Sequence, residues 1–169
     1  MSAGNGDTQG HREIGRIVRR AAVAASLATV AEAEVTLMLE RRCRREPVFL
    51  PRAMVRRLAG ELGYVVDDRV ARLIGNVMRA GYGPAWGIGW ALLRRRRTPR
   101  PLQDACLLAA IMWIFELVML PSVRATPPVR RWPSGDVAWD LANCVIFAAA
   151  DVCVTALMDS YPRVPPADG

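Results

Sequence analysis

LQDACLLAAIMWIFELVML, residues 102–120, is the stretch whose reading decides the fold. A helix needs about 20 residues to cross the hydrocarbon of a bilayer, and this run meets that length before it stops at Pro121. Glu116 lies inside it. A charge held in lipid costs from about 2.5 kcal/mol upward, so such a residue has either a partner or a task. Three more stretches read the same way, residues 21–39, 73–93 and 137–158, and each also carries ionisable side chains. The expected fold class is therefore all-α: a polytopic membrane protein with a four-transmembrane-helix bundle over residues 17–160. A disordered polar tail is expected over 1–16 and a loose, Pro-rich one over 161–169.

Composition supports this reading. Apolar residues make up 52% of the chain and charged ones 23%, and the two classes fall in separate blocks. Every basic residue is Arg, which excludes Schiff-base chemistry and a P-loop lysine. The net charge of +7 comes from Arg runs at the ends of the apolar segments: 19–20, 41–45 (broken by Cys43) and 94–97. Runs placed there anchor a protein at anionic headgroups rather than reading nucleic acid. Cys43, Cys106, Cys144 and Cys153 form no C-x-x-C pair, so neither a disulfide framework nor a metal site is indicated, and no cofactor is expected. The first segment holds Glu32 and Glu34 and leads into Leu-Glu-Arg-Arg, so it reads as a retained helix rather than a cleaved signal.

At 100° per residue Thr29, Glu32 and Thr36 share one stripe of the first segment, while Glu34 points away. Pro47 and Pro51 interrupt the basic connection that follows. Residues 52–62 then place Met54, Val55, Leu58 and Leu62 opposite Arg52, Arg56 and Glu61. This suits a short amphipathic interfacial helix, or one packed over the end of the bundle. Asp67 and Asp68 supply an N-cap for the second segment. Within that segment Gly83 and Gly87 form G-x-x-x-G, a spacing that lets helix backbones approach closely in lipid. It is not a nucleotide loop, because no strand precedes it and Pro84 interrupts it. Trp86 and Trp90 approach the boundary marked by the Arg run at 94–97. The last segment carries Asp136, Asp140, Asn143, Phe147 and Asp151 within one narrow arc.

In an up-down bundle the end of segment one, the start of two, the end of three and the start of four share one side. Glu32, Glu34, Arg79, Glu116 and Asp140 then fall in a layer about 6–10 Å below that surface, with Asn143 close by. Arg79 is the natural counter-ion. The layer is either a register-fixing ion pair or a group of carboxyls that handles protons or a small polar solute. Asp151 lies on the same stripe in the other leaflet.

The residues Tyr82, Gly83 and Gly87, then Trp113, Leu120 and Pro121, then the polar head of segment four, resemble the YagU-like group of small bacterial inner-membrane proteins. That group has a Tyr-Gly-x-x-x-Gly helix and an apolar helix closing in a Leu-Pro step. The resemblance implies a bundle in the bacterial cytoplasmic membrane and no defined chemistry. Where the group tends to place His residues this chain has Asn76 or Arg79, and Asp140, so a His-based role does not carry over.

The expected function is that of an integral membrane protein whose carboxylate/arginine layer handles protons or a small polar solute. It could equally serve as an accessory subunit with a membrane-protein partner or a second copy of itself. The alternative is a membrane-embedded acid–base enzyme acting on an isoprenoid or other lipid. Glu32, Glu116, Asp140 and Asp151 would be its acids, with Trp86, Trp113 and Phe147 as cation-stabilising aromatics. The short loop at 94–100 inclines both termini to the cytoplasm.

Overall fold

A computed structural model describes residues 5–43, 50–124 and 126–161, and its regular elements are all helical. They are α1 (Asn5–Cys43), α2 (Leu50–Glu61), α3 (Asp68–Arg94), α4 (Pro101–Ser122) and α5 (Ser134–Ser160), with a 3-10 turn at Val129–Arg131 before α5. Three are long and apolar enough to cross a membrane: Gly10–Cys43 within α1, together with α4 and α5. That is compatible with a multi-pass membrane protein. α3 has the length, but Asp68, Arg69, Arg72 and Arg79 in its first half and five glycines keep its mean hydropathy down.

α1 corrects one expectation. It begins at Asn5, so residues 5–16 are helical rather than a loose tail. No proline precedes Pro47, and Gly10 and Gly15 do not suffice to stop propagation. α2 starts at Leu50, close to the helix expected from residue 52, with Pro51 in its first turn where a proline is tolerated. Pro47 and the tail at 162–169 lie outside the described residues. α3 starts where its cap predicts: Asp67 is extended, and its carboxylate accepts the Arg69 N–H at 3.1 Å. Pro at the first position starts α4.

The long helices run up and down. α3 packs on α1, α1 on α5 and α5 on α4, while α2 lies across α3. α3 and α4 meet chiefly through long side chains. One end of the bundle is tied by Arg20–Asp159 at 2.7 Å and by Arg94–Asp104 at 2.6 Å.

The seam between α1 and α3 is built from the smallest residues. Ala21, Ala24, Ala25 and Ala28 are buried along α1, and Gly83 and Gly87 oppose them. A methyl added at Gly87 would overlap Ala25 Cβ, and one at Gly83 would overlap Thr29 and stand 2.9 Å from Phe147. Close backbone approach of this kind gains dispersion contact, the main drive for helix pairing wherever lipid surrounds the helices. The outer surface is the reverse of a soluble bundle's. Val30, Leu73, Val118 and Leu157, one from each long helix, are each more than half exposed. Between Ala105 and Pro121, α4 is apolar on every face apart from Glu116.

Candidate functional site

Between the four long helices, toward the α1 C-terminal end, lies a cavity of about 500 Å³. α1 contributes Thr29, Glu32 and Thr36, and α3 contributes Arg79 and Tyr82. Glu116 comes from α4, and Asp140, Asn143, Cys144 and Phe147 come from α5. Each of these sits on an inward stripe because residues three and four apart share a helix face: Glu32 with Thr36, Arg79 with Tyr82, and Asp140 with Asn143 and Cys144.

Two hydrogen-bonded groups divide the polar atoms. In the first, Arg79 Nη2 stands 3.3 Å from Glu32 Oε2, with the Glu32 side chain only 14% exposed. The Thr36 hydroxyl lies 3.1 Å from Glu32 Oε1 and 3.0 Å from Asn143 Oδ1, so its one proton serves the two acceptors alternately. In the second group, the Tyr82 hydroxyl donates to Glu116 Oε1 at 2.8 Å and the Cys144 thiol to Oε2 at 3.4 Å. Asp140 lines the same cavity as Glu116, and its Oδ2 is buried without a partner. Glu32 therefore has a guanidinium, whereas Glu116 and Asp140 share a corner in which neither has an ion pair among the described residues.

Other candidates fall elsewhere. Glu34 is exposed on the outer side of α1, away from this cavity. Asp151 is buried, but it lines a different cavity at the opposite end, about 16 Å along α5 from Asp140. Of the three aromatics named above, Phe147 lines the cavity. Trp86 instead makes edge contacts with Tyr82 at 6.0 Å and Phe115 at 5.4 Å, and Trp113 packs on the core, so neither belongs to the lining. Trp132 and Trp139 line the cavity together with Phe147 and Tyr82. Sequence reasoning missed these two tryptophans, together with the walls of Met78, Met112 and Met119. Trp139 precedes Asp140 directly, which was the available signal.

Five carboxyl residues line the space (Glu32, Glu40, Glu116, Asp136 and Asp140) against Arg79 and Arg131. The surplus is negative. Among the described residues no three His, Cys, Asp or Glu side chains converge closely enough to hold a metal ion. Comparison of the chain with protein-family models, curated proteins and solved structures gave no match.

Proposed function

We propose that this chain is a four-pass protein of a bacterial cytoplasmic membrane. α3 is its fourth span, α2 lies in the headgroup plane, and the central cavity takes a small organic solute bearing a cationic or amine group. The observation that carries the proposal is the Glu116–Asp140 corner. Two carboxyls line one cavity inside a bundle with no ion pair to either among the described residues, while a third, Glu32, is already balanced by Arg79. Charge there has to be met by a proton or by a positively charged guest. The cavity is far larger than a single ion needs, and its size is ordinary for an organic ligand. Methionine and aromatic walls suit the apolar part of such a guest, and indole and phenyl faces suit its cation. Exchange of the guest for protons at the corner would make the protein a proton-linked carrier. The likeness to the YagU-like group belongs to the same reading and adds location rather than chemistry.

Tryptophan in the cavity wall provides the assay. Tetraphenylphosphonium added to the detergent-purified chain is expected to quench the fluorescence of Trp132 and Trp139 saturably. Replacing Glu116→Gln and Asp140→Asn together is expected to weaken that binding roughly tenfold or more, consistent with loss of a charged contact in an apolar site. Glu34→Gln, on the outer face, leaves it unchanged. Quenching that does not saturate, or that ignores the corner substitutions, overturns the proposal.

One observation favours the enzyme reading as a second choice. The same acid pair lines one cavity with Phe147 and with methionine and tryptophan walls, an arrangement able to protonate an alkene and shelter the resulting cation. Conversion of an isoprenoid lipid by membranes holding the wild-type chain, lost in Glu116→Gln at normal protein level, is the result that would select it.

A further inference from the structure

A second cavity, of about 260 Å³, opens at the end of the bundle opposite the acidic one. Its charge is reversed: five arginines line it against three aspartates. Two of the arginines are already paired, Arg20 with Asp159 and Arg94 with Asp104. Arg16, Arg95 and Arg97 have no ion pair among the described residues, and Asp151 is the one lining carboxylate without an arginine bound to it.

Asp151 is 5% exposed and Trp90 is 7% exposed, and both belong to the wall. Asp151 Oδ1 and Trp90 Nε1 are shut off from solvent and neither has a hydrogen-bond partner. Buried polar atoms are nearly always satisfied, so an orphan acceptor and an orphan donor in one wall mark a place where something is missing. A hydroxyl group answers both, since it accepts from the indole N–H and donates to the carboxylate. The unpaired guanidiniums above them match a phosphate, which Arg holds through two parallel hydrogen bonds. Apolar surface continues from the same level: Leu93, Leu102 and Leu157, in the end turns of α3, α4 and α5, are all more than half exposed.

We infer that this cavity binds the headgroup of an anionic phosphoglycerol lipid. The phosphodiester sits on Arg16, Arg95 and Arg97, the headgroup hydroxyls reach Asp151 and Trp90, and the acyl chains lie along the exposed leucines. The inference rests on the membrane reading above but not on the acidic cavity or its guest. A free phosphate ester would share the phosphate and hydroxyl chemistry, but only a lipid uses the leucines.

The test is lipid retention by the full chain purified in mild detergent, read by native mass spectrometry. Phosphatidylglycerol, phosphatidylmethanol (the same charge without the hydroxyls) and phosphatidylcholine are supplied in equal amounts. Wild type is expected to retain both anionic lipids roughly tenfold over phosphatidylcholine, and phosphatidylglycerol over phosphatidylmethanol. Arg95→Gln with Arg97→Gln, both at exposed positions where folding is not at stake, brings the anionic preference close to parity. Asp151→Leu removes the discrimination between the two anionic lipids while keeping their preference over phosphatidylcholine. Equal retention of all three lipids by wild type, or a preference unmoved by the arginine substitutions, overturns the assignment. So does displacement of the lipid by millimolar inorganic phosphate, which would give the site to a soluble ester. No discrimination between phosphatidylglycerol and phosphatidylmethanol would remove Asp151 and Trp90 from it. Should the membrane reading itself fail, the chain would stay in solution without detergent, an outcome none of these arms produces.

Discussion

Glu32 and Glu116 line one cavity, but only Glu32 faces a guanidinium, and the two residues should respond differently to substitution. Arg79→Leu strands a mostly buried carboxylate and is expected to destabilise the detergent-solubilised protein by about 1–2 kcal/mol, the larger values known for dry pairs being reduced because Arg79 is 39% exposed. Arg79→Leu with Glu32→Leu should recover most of that loss, and thermal unfolding of the set as a double-mutant cycle measures it. Glu116→Gln keeps an acceptor for Tyr82 and should cost little stability. The inward stripes were legible because helical geometry alone groups Thr29, Glu32 and Thr36, or Asp140 and Asn143, on a face. The partners were not. Whether Arg79 met Glu32, Glu116 or Asp140 depends on how α3 is rotated against α1 and α4, and no local pattern encodes that rotation. Tyr82 three residues after Arg79, and Cys144 four after Asp140, were signals of the right spacing, passed over because neither residue is charged.

Among the elements, α3 shows most clearly how sequence sets packing. Gly87→Val drives a side chain into Ala25 at the α1 seam, and overpacking of this kind is expected to cost about 1–3 kcal/mol. Gly81→Ala, where an added Cβ meets nothing within 4 Å, should be neutral; unfolding midpoints of the two variants check the contrast. The G-x-x-x-G spacing announced that seam in advance. The long N-terminal helix was not announced, because residues 5–16 are polar and Gly-containing, with none of the apolar periodicity that marks a buried face. What α1 gains there is the placement of Arg16 at the basic cavity. α2 is held to the start of α3 by Asp68, which pairs with Arg52, with Arg72 at 2.8 Å and with Arg56 at 3.5 Å. Desolvation pushes the Asp68 carboxyl up, but Arg72 and Arg52 outweigh it and hold its pKa below the ordinary 3.8. A depressed acid contributes stability above its unfolded pKa and loses it as pH falls through the folded one. Amide protection factors over α2, which correct for the pH dependence of chemical exchange, should therefore hold at neutral pH and fall only below about pH 4. Asp68→Asn should show the lower protection already at pH 7.

The whole molecule is polarised from end to end, with an acidic cavity toward the α1 C-terminus and a basic one at the other end. Both are enclosed by helices whose outer faces are aliphatic. Such a surface is compatible with a bilayer, since soluble monomers seldom expose apolar patches beyond a few hundred Å². The proposed solute site and the proposed headgroup site both rest on that bilayer reading. It is tested by washing membranes that hold the full chain with alkaline carbonate, and then following the extracted chain by size exclusion as detergent is withdrawn. Retention in the washed membrane pellet, followed by aggregation once detergent falls below its critical concentration, is the expected result. Release into the carbonate supernatant as a monodisperse particle that needs no amphiphile would contradict it.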